Sequence, residues 1–588
     1  MSDSLSTSAD ALGGSAACRP ALMGTRHMAA AGHYAAAHAA FVVLEAGGNA
    51  VDAGVAAGLA LGVLQPDIVS VAGVAPIMLY EAASGRITTI SGLGWWPKAA
   101  DPEYFRRQYG GRIPDGLRRT VVPAAPDAWL TALELFGTMS FGDVAAAAIG
   151  FARDGFPMYP LLADMIALHE LDYARWASNA AIYLPDGCPP RTGELFLQTD
   201  LAATLAFMVE EERAHLADGR VAGLNAARNA FYGGDIAATI AAFHRENDGW
   251  LTLEDMKDFH VAIEPPSCAR FADWEVYTCA PWCQGPALIQ ALNLLDAADL
   301  AALGHNSADY VHVVVEALKL AFADRERWYG DPRFVDVPIE RLISAQYAEA
   351  RRALIRPRKA WPEMPPAGDP YDRSSGPEAG AQRRLASRAV PNPPRDTSYV
   401  SVVDRWGNAF SATPSDVSFD APVIPRTGLS VSTRGSQAWT DPLHPSCLAP
   451  GKRPRLTPNP AIAVRRGEEV MPFGTPGGDV QVQAMLQFFL NHVVFEMDPQ
   501  AAAEAPRFAS YSFPDSFEPH DYFPGRLQIE DRFHPKIGDV LKSYGHDVHW
   551  WPDRTWRAGS ICSIKANRRS GLIVGGADFR RCGYVVGW

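Results

Sequence analysis

The chain changes its hydrophobic rhythm along its length. From His38 to Leu64 apolar residues recur at helical spacing, broken at Gly47-Gly48, where Asn49 is placed to cap a second helix. Phe141 to Gly155 and Tyr310 to Tyr329 are amphipathic in the same way. Ile77 to Ile90 instead carries β-branched and aromatic residues on both sides of Ser84-Gly85, the pattern of a hairpin. Between residues 356 and 396 periodicity vanishes. That stretch is dense in Pro, Gly, Ser and charge, cannot offset its ordering entropy by burial, and reads as a mobile surface arm. Directly after it the rhythm becomes alternation. Thr397 to Val403 and Ala409 to Thr413 alternate polar and apolar residues around Asp404-Arg-Trp-Gly-Asn408, a hairpin centred near Trp406. Pro460 to Val464 is a further strand. Met471-Pro-Phe then leads through Gly474-Thr-Pro-Gly-Gly478 into an apolar helix, Val480 to Val494.

Composition narrows what such a chain does. With 48% hydrophobic and 20% charged residues over 588 positions, it buries a large core and is not a disordered chain. Lys plus Arg number 53 against 66 Asp plus Glu, and no long basic run occurs, so nucleic acid and anionic membranes are not expected partners. The first twenty residues lack both the basic start and the apolar core of a secretory signal. The longest apolar run, Ala53 to Leu64, is too short to span a bilayer, so a cytoplasmic protein is expected, with residues 1–26 a disordered tail. Cys279 and Cys283 have no second pair or histidine at zinc spacing and read as core thiols. Neither a metal nor a cofactor is expected.

The second half carries the chemistry. With the hairpin centred on Trp406, Thr397 falls opposite Ser415, and cross-strand partners stand about 5 Å apart, so their hydroxyls reach each other. A threonine that opens a strand after a flexible arm is placed to become a free N-terminus by cleavage between Asp396 and Thr397. Its own α-amine, with a pKa of about 8, would then take the hydroxyl proton. The structural alternative is an ordinary strand threonine. Gly474-Thr-Pro-Gly-Gly478 allows two readings as well. Adjacent glycines bare consecutive N–H groups at a helix start, which suits an oxyanion hole, and they equally suit a tight strand-to-helix turn. Gly477 and Gly478 do not have the spacing of a phosphate-binding loop.

These segments resemble the γ-glutamyltransferase family, from about Met28 to the C-terminus. Gly47-Gly-Asn-Ala-Val-Asp-Ala53, Gly249-Trp-Leu-Thr-Leu-Glu-Asp255, Ala321-Phe-Ala-Asp-Arg325 with Gly330-Asp-Pro332, Thr397 to Asn408, Lys452-Arg-Pro454 and Gly474 to Gly478 occur in the family's order. The resemblance implies an α+β fold, the four-layer αββα sandwich of N-terminal-nucleophile hydrolases. A large subunit (27–396) and a small one (397–588) would share that sandwich as a heterodimer cut from one precursor, with higher oligomers left open. It implies Thr397 as nucleophile, Ser415 as its supporting hydroxyl, and Gly477 and Gly478 as the oxyanion amides.

Departures from the family fall on recognition. Where the family has Asp-Gly-Arg-Glu, whose arginine binds the glutamyl α-carboxylate, this chain has Ser91-Gly-Leu-Gly-Trp-Trp-Pro97. The stretch that grips the α-amine reads Ser432-Thr-Arg-Gly-Ser-Gln437, and the paired serines become Leu456-Thr457. Arg434, Gln437 and Thr457 are thus candidate substrate-binding residues, Arg434 as a carboxylate partner, and Trp95 and Trp96 as walls of an acyl pocket. A small-molecule amide whose acyl group is not plain γ-glutamyl is the expected substrate, cleaved by water or an amine. Two alternatives stand beside it: a γ-glutamyltransferase or glutathione hydrolase with altered recognition residues, and an uncleaved, non-catalytic binding relative.

Overall fold

In the computed structural model of the protein, residues 17–371 and 397–588 are described. Two seven-stranded sheets stack face to face, with helices on both outer faces. One sheet runs, edge to edge, through Tyr584–Gly587, Met28–Ala31, Val400–Val403, Ala409–Ala412, Ile77–Glu81, Arg86–Ile90 and Ile263–Glu264. The other runs through Leu22–Gly24, Ile573–Ala577, Cys562–Asn567, Glu469–Gly474, Ala461–Arg465, Trp274–Thr278 and Ser267–Phe271. This is the αββα sandwich.

Strand alternation assigns the layers. Val400 and Val402 point into the outer core with the helices Tyr34–Glu45 and Ala50–Leu64, while Tyr399 and Val403 point between the sheets with Ile462 and Ile564. Gly285–Leu295, Ala308–Trp328 and Val480–Val493 cover the second sheet's outer face. The Ala50–Leu64 helix is all Ala, Gly and aliphatic apart from Asp52, and it lies close on its sheet. A Cβ at Gly54 would stand 2.3 Å from the Phe410 ring, so only glycine fits there. Asn49 starts this helix with a capping box, accepting from Val51 and Asp52 N–H while Asp52 accepts from Asn49 N at 2.9 Å. The Ile77–Ile90 hairpin pairs Ile77 with Ile90 and turns at Gly85, whose φ is +70°.

Two sequence expectations need correction. The expected arm is packed over its described part, 356–371. Trp361 N donates to Glu316 Oε2 at 3.0 Å, Lys319 Nζ to the Trp361 carbonyl at 2.8 Å, and Gly368 N to Asp324 Oδ1 at 2.7 Å. Buried polar side chains of the Ala308–Trp328 helix thus supply the partners that this Pro-rich segment cannot find in itself. The expected tail is ordered from residue 17: Leu22–Gly24 joins a sheet edge, and Arg19 stacks over Tyr584 at 4.1 Å. Residues 1–16 and 372–396, Asp396 among them, lie outside the described residues. Among the described residues no helix is long and apolar enough to cross a membrane.

Candidate active site

The hairpin Val400–Val403 and Ala409–Ala412 pairs Val403 with Ala409 and Val400 with Ala412, and the same register carried outward bridges Thr397 to Ser415. Thr397 Oγ1 and Ser415 Oγ stand 2.8 Å apart, and both residues are fully buried. Ser415 is held from its other side by Val74, whose carbonyl accepts Ser415 N–H at 2.9 Å.

The Gly474–Gly478 loop arrives from the other sheet. Gly477 and Gly478 adopt φ of +129° and +56°, and their carbonyls accept from Val480 and Gln481 N–H as the Val480–Val493 helix begins. Among the described residues neither glycine's own N–H donates to any acceptor, so two amides at a helix start are left for an incoming oxygen. Gln284 Nε2 fixes the loop by donating to the carbonyls of Gly478 and Thr457, each at 2.9 Å, while Arg325 Nη1 donates to Gln284 Oε1 at 2.9 Å. The first turn of the helix brings Gln481 to the threonine: its Nε2 lies 3.2 Å from Thr397 Oγ1.

A short turn, Arg434–Gln437, closes the site. The Arg434 guanidinium is buried, pairs with Asp416 at 3.3 Å and donates to Ser415 Oγ. Asp416 also accepts from Ser432 Oγ at 2.7 Å and Thr433 N at 3.1 Å. Burial pushes its pKa up to about 6 against the opposing pull of Arg434. Phe517 covers the guanidinium at 5.3 Å, and Glu518 N donates to the Ser436 carbonyl at 2.7 Å, which seats the 513–523 loop on this turn. Between that loop and the glycines is a cavity of about 30 Å³, lined by Tyr511, Phe513, Phe517, Phe523 and the carboxylates Asp515 and Asp521. Burial and the neighbouring Asp479 push the Asp515 pKa up to about 7. A larger cleft of about 810 Å³, walled by Trp550, Trp551 and Trp556, lies beyond the contact of Tyr511 with Trp551 and does not reach Thr397.

A threonine that opens a strand, a hydroxyl partner and two bared glycine amides together have the make-up of an N-terminal-nucleophile site. The Gamma-glutamyltranspeptidase family model matches residues 36–588. The chain belongs to the γ-glutamyltranspeptidase family. It is similar to the Acylase ACY 1 proenzyme of Pseudomonas sp. (strain V22), 31% identical with 96% of this chain and 94% of that one covered. It is also similar to the Glutathione hydrolase-like YwrD proenzyme of Bacillus subtilis (strain 168), 30% identical with 96% and 99% covered. Among solved structures, the cephalosporin acylase from Bacillus halodurans superposes with a TM-score of 0.84 at 26% identity, covering 97% of each chain. Membership makes the protein an amidohydrolase or acyl-transferase of that family, and a divergent member of it.

Of the residues that sequence singles out, the fold brings Thr397, Ser415 and Arg434 into direct contact and sets Gly477 and Gly478 one helical turn from them through Gln481. Gln437 and Thr457 meet each other instead, Gln437 Nε2 donating to Thr457 Oγ1 at 2.8 Å. The tryptophans are packing residues rather than pocket walls. Trp96 is wedged beneath the Arg434–Gln437 turn, where a Cβ at Gly435 would meet its ring at 2.5 Å. Trp95 lies against Phe259 at 4.7 Å and under Arg333 at 5.3 Å. Arg434 turns Nη2 to Ser415 and Nε toward Asp416.

Sequence reasoning missed Gln481, Asp416 and Gln284. The available signal was the run Gln481, Gln483 and Gln487, amides buried in an otherwise apolar helix. A buried group of His312, Glu316 and His546 brings metal-ligand atom types within 4.8 Å of one another. Each member already bonds within the protein: His312 bonds His546 at 2.9 Å and the Arg356 carbonyl at 2.9 Å, and Glu316 pairs with Lys319 at 2.8 Å. The cluster serves to anchor the segment that starts at Arg356.

Proposed function

We propose that the protein cuts itself between Asp396 and Thr397 and then works as an N-terminal threonine amidohydrolase or acyl-transferase on acyl groups other than γ-glutamyl. The observation that carries this reading is the 2.8 Å contact of Thr397 Oγ1 with Ser415 Oγ beside two glycines with undonated N–H groups. In the first event the Thr397 hydroxyl attacks the Asp396 carbonyl and the C–N bond breaks, which frees the α-amine and leaves an ester on Oγ1; water then hydrolyses that ester to release the Asp396 carboxylate and the hydroxyl. In each later cycle Oγ1 attacks a substrate carbonyl while that amine takes its proton. Gly477 and Gly478 N–H hold the oxyanion. The C–N bond breaks as the amine returns the proton to the leaving nitrogen, and water or a second amine then removes the acyl group from Thr397.

Recognition supports a changed acyl group. The arginine that would meet a glutamyl α-carboxylate is absent from Ser91 to Pro97, and Arg434 stands in the stretch that would grip the α-amine. A buried cation there repels an ammonium group. The void beside the glycines is lined by four aromatic rings and three carboxylates, with no cation among the described residues for a glutamyl α-carboxylate. The related acylases make such substrates reasonable.

Intact mass tests the first half. Wild-type protein should give two fragments that remain together in place of one 63.6 kDa chain, and Thr397→Ala should give the uncut chain alone. Release of p-nitroaniline tests the second. Glutaryl and phenylacetyl anilides should turn over faster than the γ-glutamyl anilide, which differs from the glutaryl one only by its α-amine. Fastest turnover of the γ-glutamyl compound would restore glutathione-type chemistry, and an uncut wild-type chain would make the protein a non-catalytic relative.

A further inference from the structure

The oxygen on which this reading rests is surrounded by hydrogen-bond donors. Gln481 Nε2 approaches Thr397 Oγ1 at 3.2 Å, and the amide can face only one way, because its Oε1 accepts Asn459 N–H at 3.2 Å. Ser415 Oγ stands 2.8 Å from the same Oγ1 and itself accepts from Arg434 Nη2. A guanidinium donates and never accepts, so the polarity of that bond is fixed. An oxygen that accepts from a cation gives up its own proton more readily to the next acceptor, and hydrogen bonds in such a chain strengthen one another.

We propose that Arg434, Ser415 and Gln481 form a donor relay converging on Thr397 Oγ1, so that Arg434 serves the nucleophile and not the substrate. The inference rests on Thr397 being that nucleophile. Gln481 touches the reacting atom and is a catalytic residue; Arg434 acts through Ser415 and is a positioning residue. With Gln481 and Ser415 both donating to Oγ1, the Thr397 proton is directed to the α-amine that cleavage exposes, and the electron pair that the proton leaves behind attacks the carbonyl. As it leaves, the growing negative charge meets two donors already in place, one backed by a full positive charge. Proton and charge balance within the site: Oγ1 loses the proton that the amine gains, and the leaving nitrogen later receives it.

The charges around the relay fit this role. Asp416, held by Ser432 and Thr433, keeps Arg434 in place at 3.3 Å, and Phe517 shields the guanidinium from solvent. Asp420, which raises the Asp416 pKa further, is itself paired with Arg119 at 3.0 Å. Asp479, behind the glycine loop, is paired with Arg325. Removing Arg434 while Asp416 stays leaves an unpaired carboxylate in the site, which favours a protonated α-amine.

The test uses processed enzyme and 4-nitrophenyl acetate, an activated ester that acylates the threonine whatever the natural acyl group. The nitrophenolate burst is followed between about pH 5 and 10. Gln481→Leu should slow acylation by about 10- to 100-fold at every pH without moving the midpoint of the acid limb. Arg434→Met should slow it and raise that midpoint by about one pH unit, whereas Arg434→Lys, which keeps the charge, should hold the midpoint. An unmoved midpoint in Arg434→Met with an unchanged burst overturns the relay. So does an effect confined to the KM of carboxylate-bearing amides, which would return Arg434 to substrate binding. Should Arg434→Met fail to process or fold, judged by intact mass and circular dichroism, Gln481→Leu and Arg434→Lys still decide. Locating the trapped acetyl group on processed wild-type enzyme by mass spectrometry separates the two levels. An acetyl group found elsewhere than on Thr397 removes the nucleophile itself; one found on Thr397 with an unchanged burst in the relay variants removes only the relay.

Discussion

Gly477 holds φ at +129°, where side chains are rarely found, and a Cβ there would stand 3.3 Å from Val480 Cβ at the start of the helix. Gly477→Ala therefore has to turn the peptide plane that presents its N–H. Strain of this kind costs about 1–3 kcal/mol, and a misdirected oxyanion donor costs about 100-fold in acylation. A lower melting temperature together with a slower nitrophenolate burst is the expected pair. A lower melting temperature with an unchanged burst would mean that these amides do not face the reacting oxygen. At this scale the sequence was legible where chemistry follows local register. Counting outward from Trp406 gives the Thr397–Ser415 pair because an antiparallel hairpin has only one period. Arg434 and Gln481 follow no such rule. Their roles depend on how a turn and a helix from distant parts of the chain approach Ser415 and Thr397, and no local pattern encodes that approach. Trp95 and Trp96 mislead for the same reason, since a large aromatic beside a site fills a core as readily as a pocket.

The hairpin that presents Thr397 is tied at its far end by Asp404. Its carboxylate accepts Trp406 N and Asn408 N at 2.9 Å each, Asn408 Nδ2 at 2.9 Å, and Ala50 N at 3.0 Å. One buried side chain thus closes the turn and also occupies an N–H at the start of the Ala50–Leu64 helix that backs the strand. Asp404→Ala leaves these donors unmatched and should destabilise the protein by about 3 kcal/mol, read as a lower denaturation midpoint. An unchanged midpoint would mean that the strand and the helix hold their places without it. The alternating strands, the Asn49 start and the turn at Gly85 were all readable, because each is fixed by neighbours in sequence. The packed course of 356–371 was not. Its composition has few apolar residues, and beside the buried Met364 what orders it is polar: Glu316, Lys319 and Asp324 on a helix that reads as merely amphipathic.

At the scale of the molecule, the proposed cut does not divide the fold. In both sheets strands from before residue 372 pair with strands from after 396: Val400–Val403 with Met28–Ala31, Ala409–Ala412 with Ile77–Glu81, and Ala461–Arg465 with Trp274–Thr278. Buried ion pairs cross the same divide. Arg453 bonds Glu264 and Asp331, each at 3.0 Å, Arg455 bonds Glu326 at 2.7 Å, and Arg325 bonds Asp479. Burial works to raise the Asp331 pKa, but Arg333 and Arg453 outweigh it and bring it down to about 2; Glu326 is likewise held low by Arg455 and Arg325 against burial. A carboxylate with a depressed folded pKa stabilises the fold above its unfolded value and loses that contribution as pH falls through the folded one. For Asp331, a fall from 3.8 to about 2 is worth roughly 2 kcal/mol. Asp416 and Asp515 have the opposite sign. Their pKa values are raised to about 6 and about 7, so acidification through those values relieves a cost carried at neutral pH. The two groups together predict a melting temperature that rises from pH 7 to a maximum at about pH 5 and then falls steeply below about 4.5, with the two pieces of processed enzyme separating on gel filtration as the crossing pairs are protonated. Glu326→Gln should bring part of that loss to neutral pH, because it leaves Arg455 and Arg325 buried with one anion fewer. A melting temperature flat from pH 7 to 3, or pieces that stay together in acid, would mean that the interleaved strands alone hold the halves and that the ion pairs add nothing.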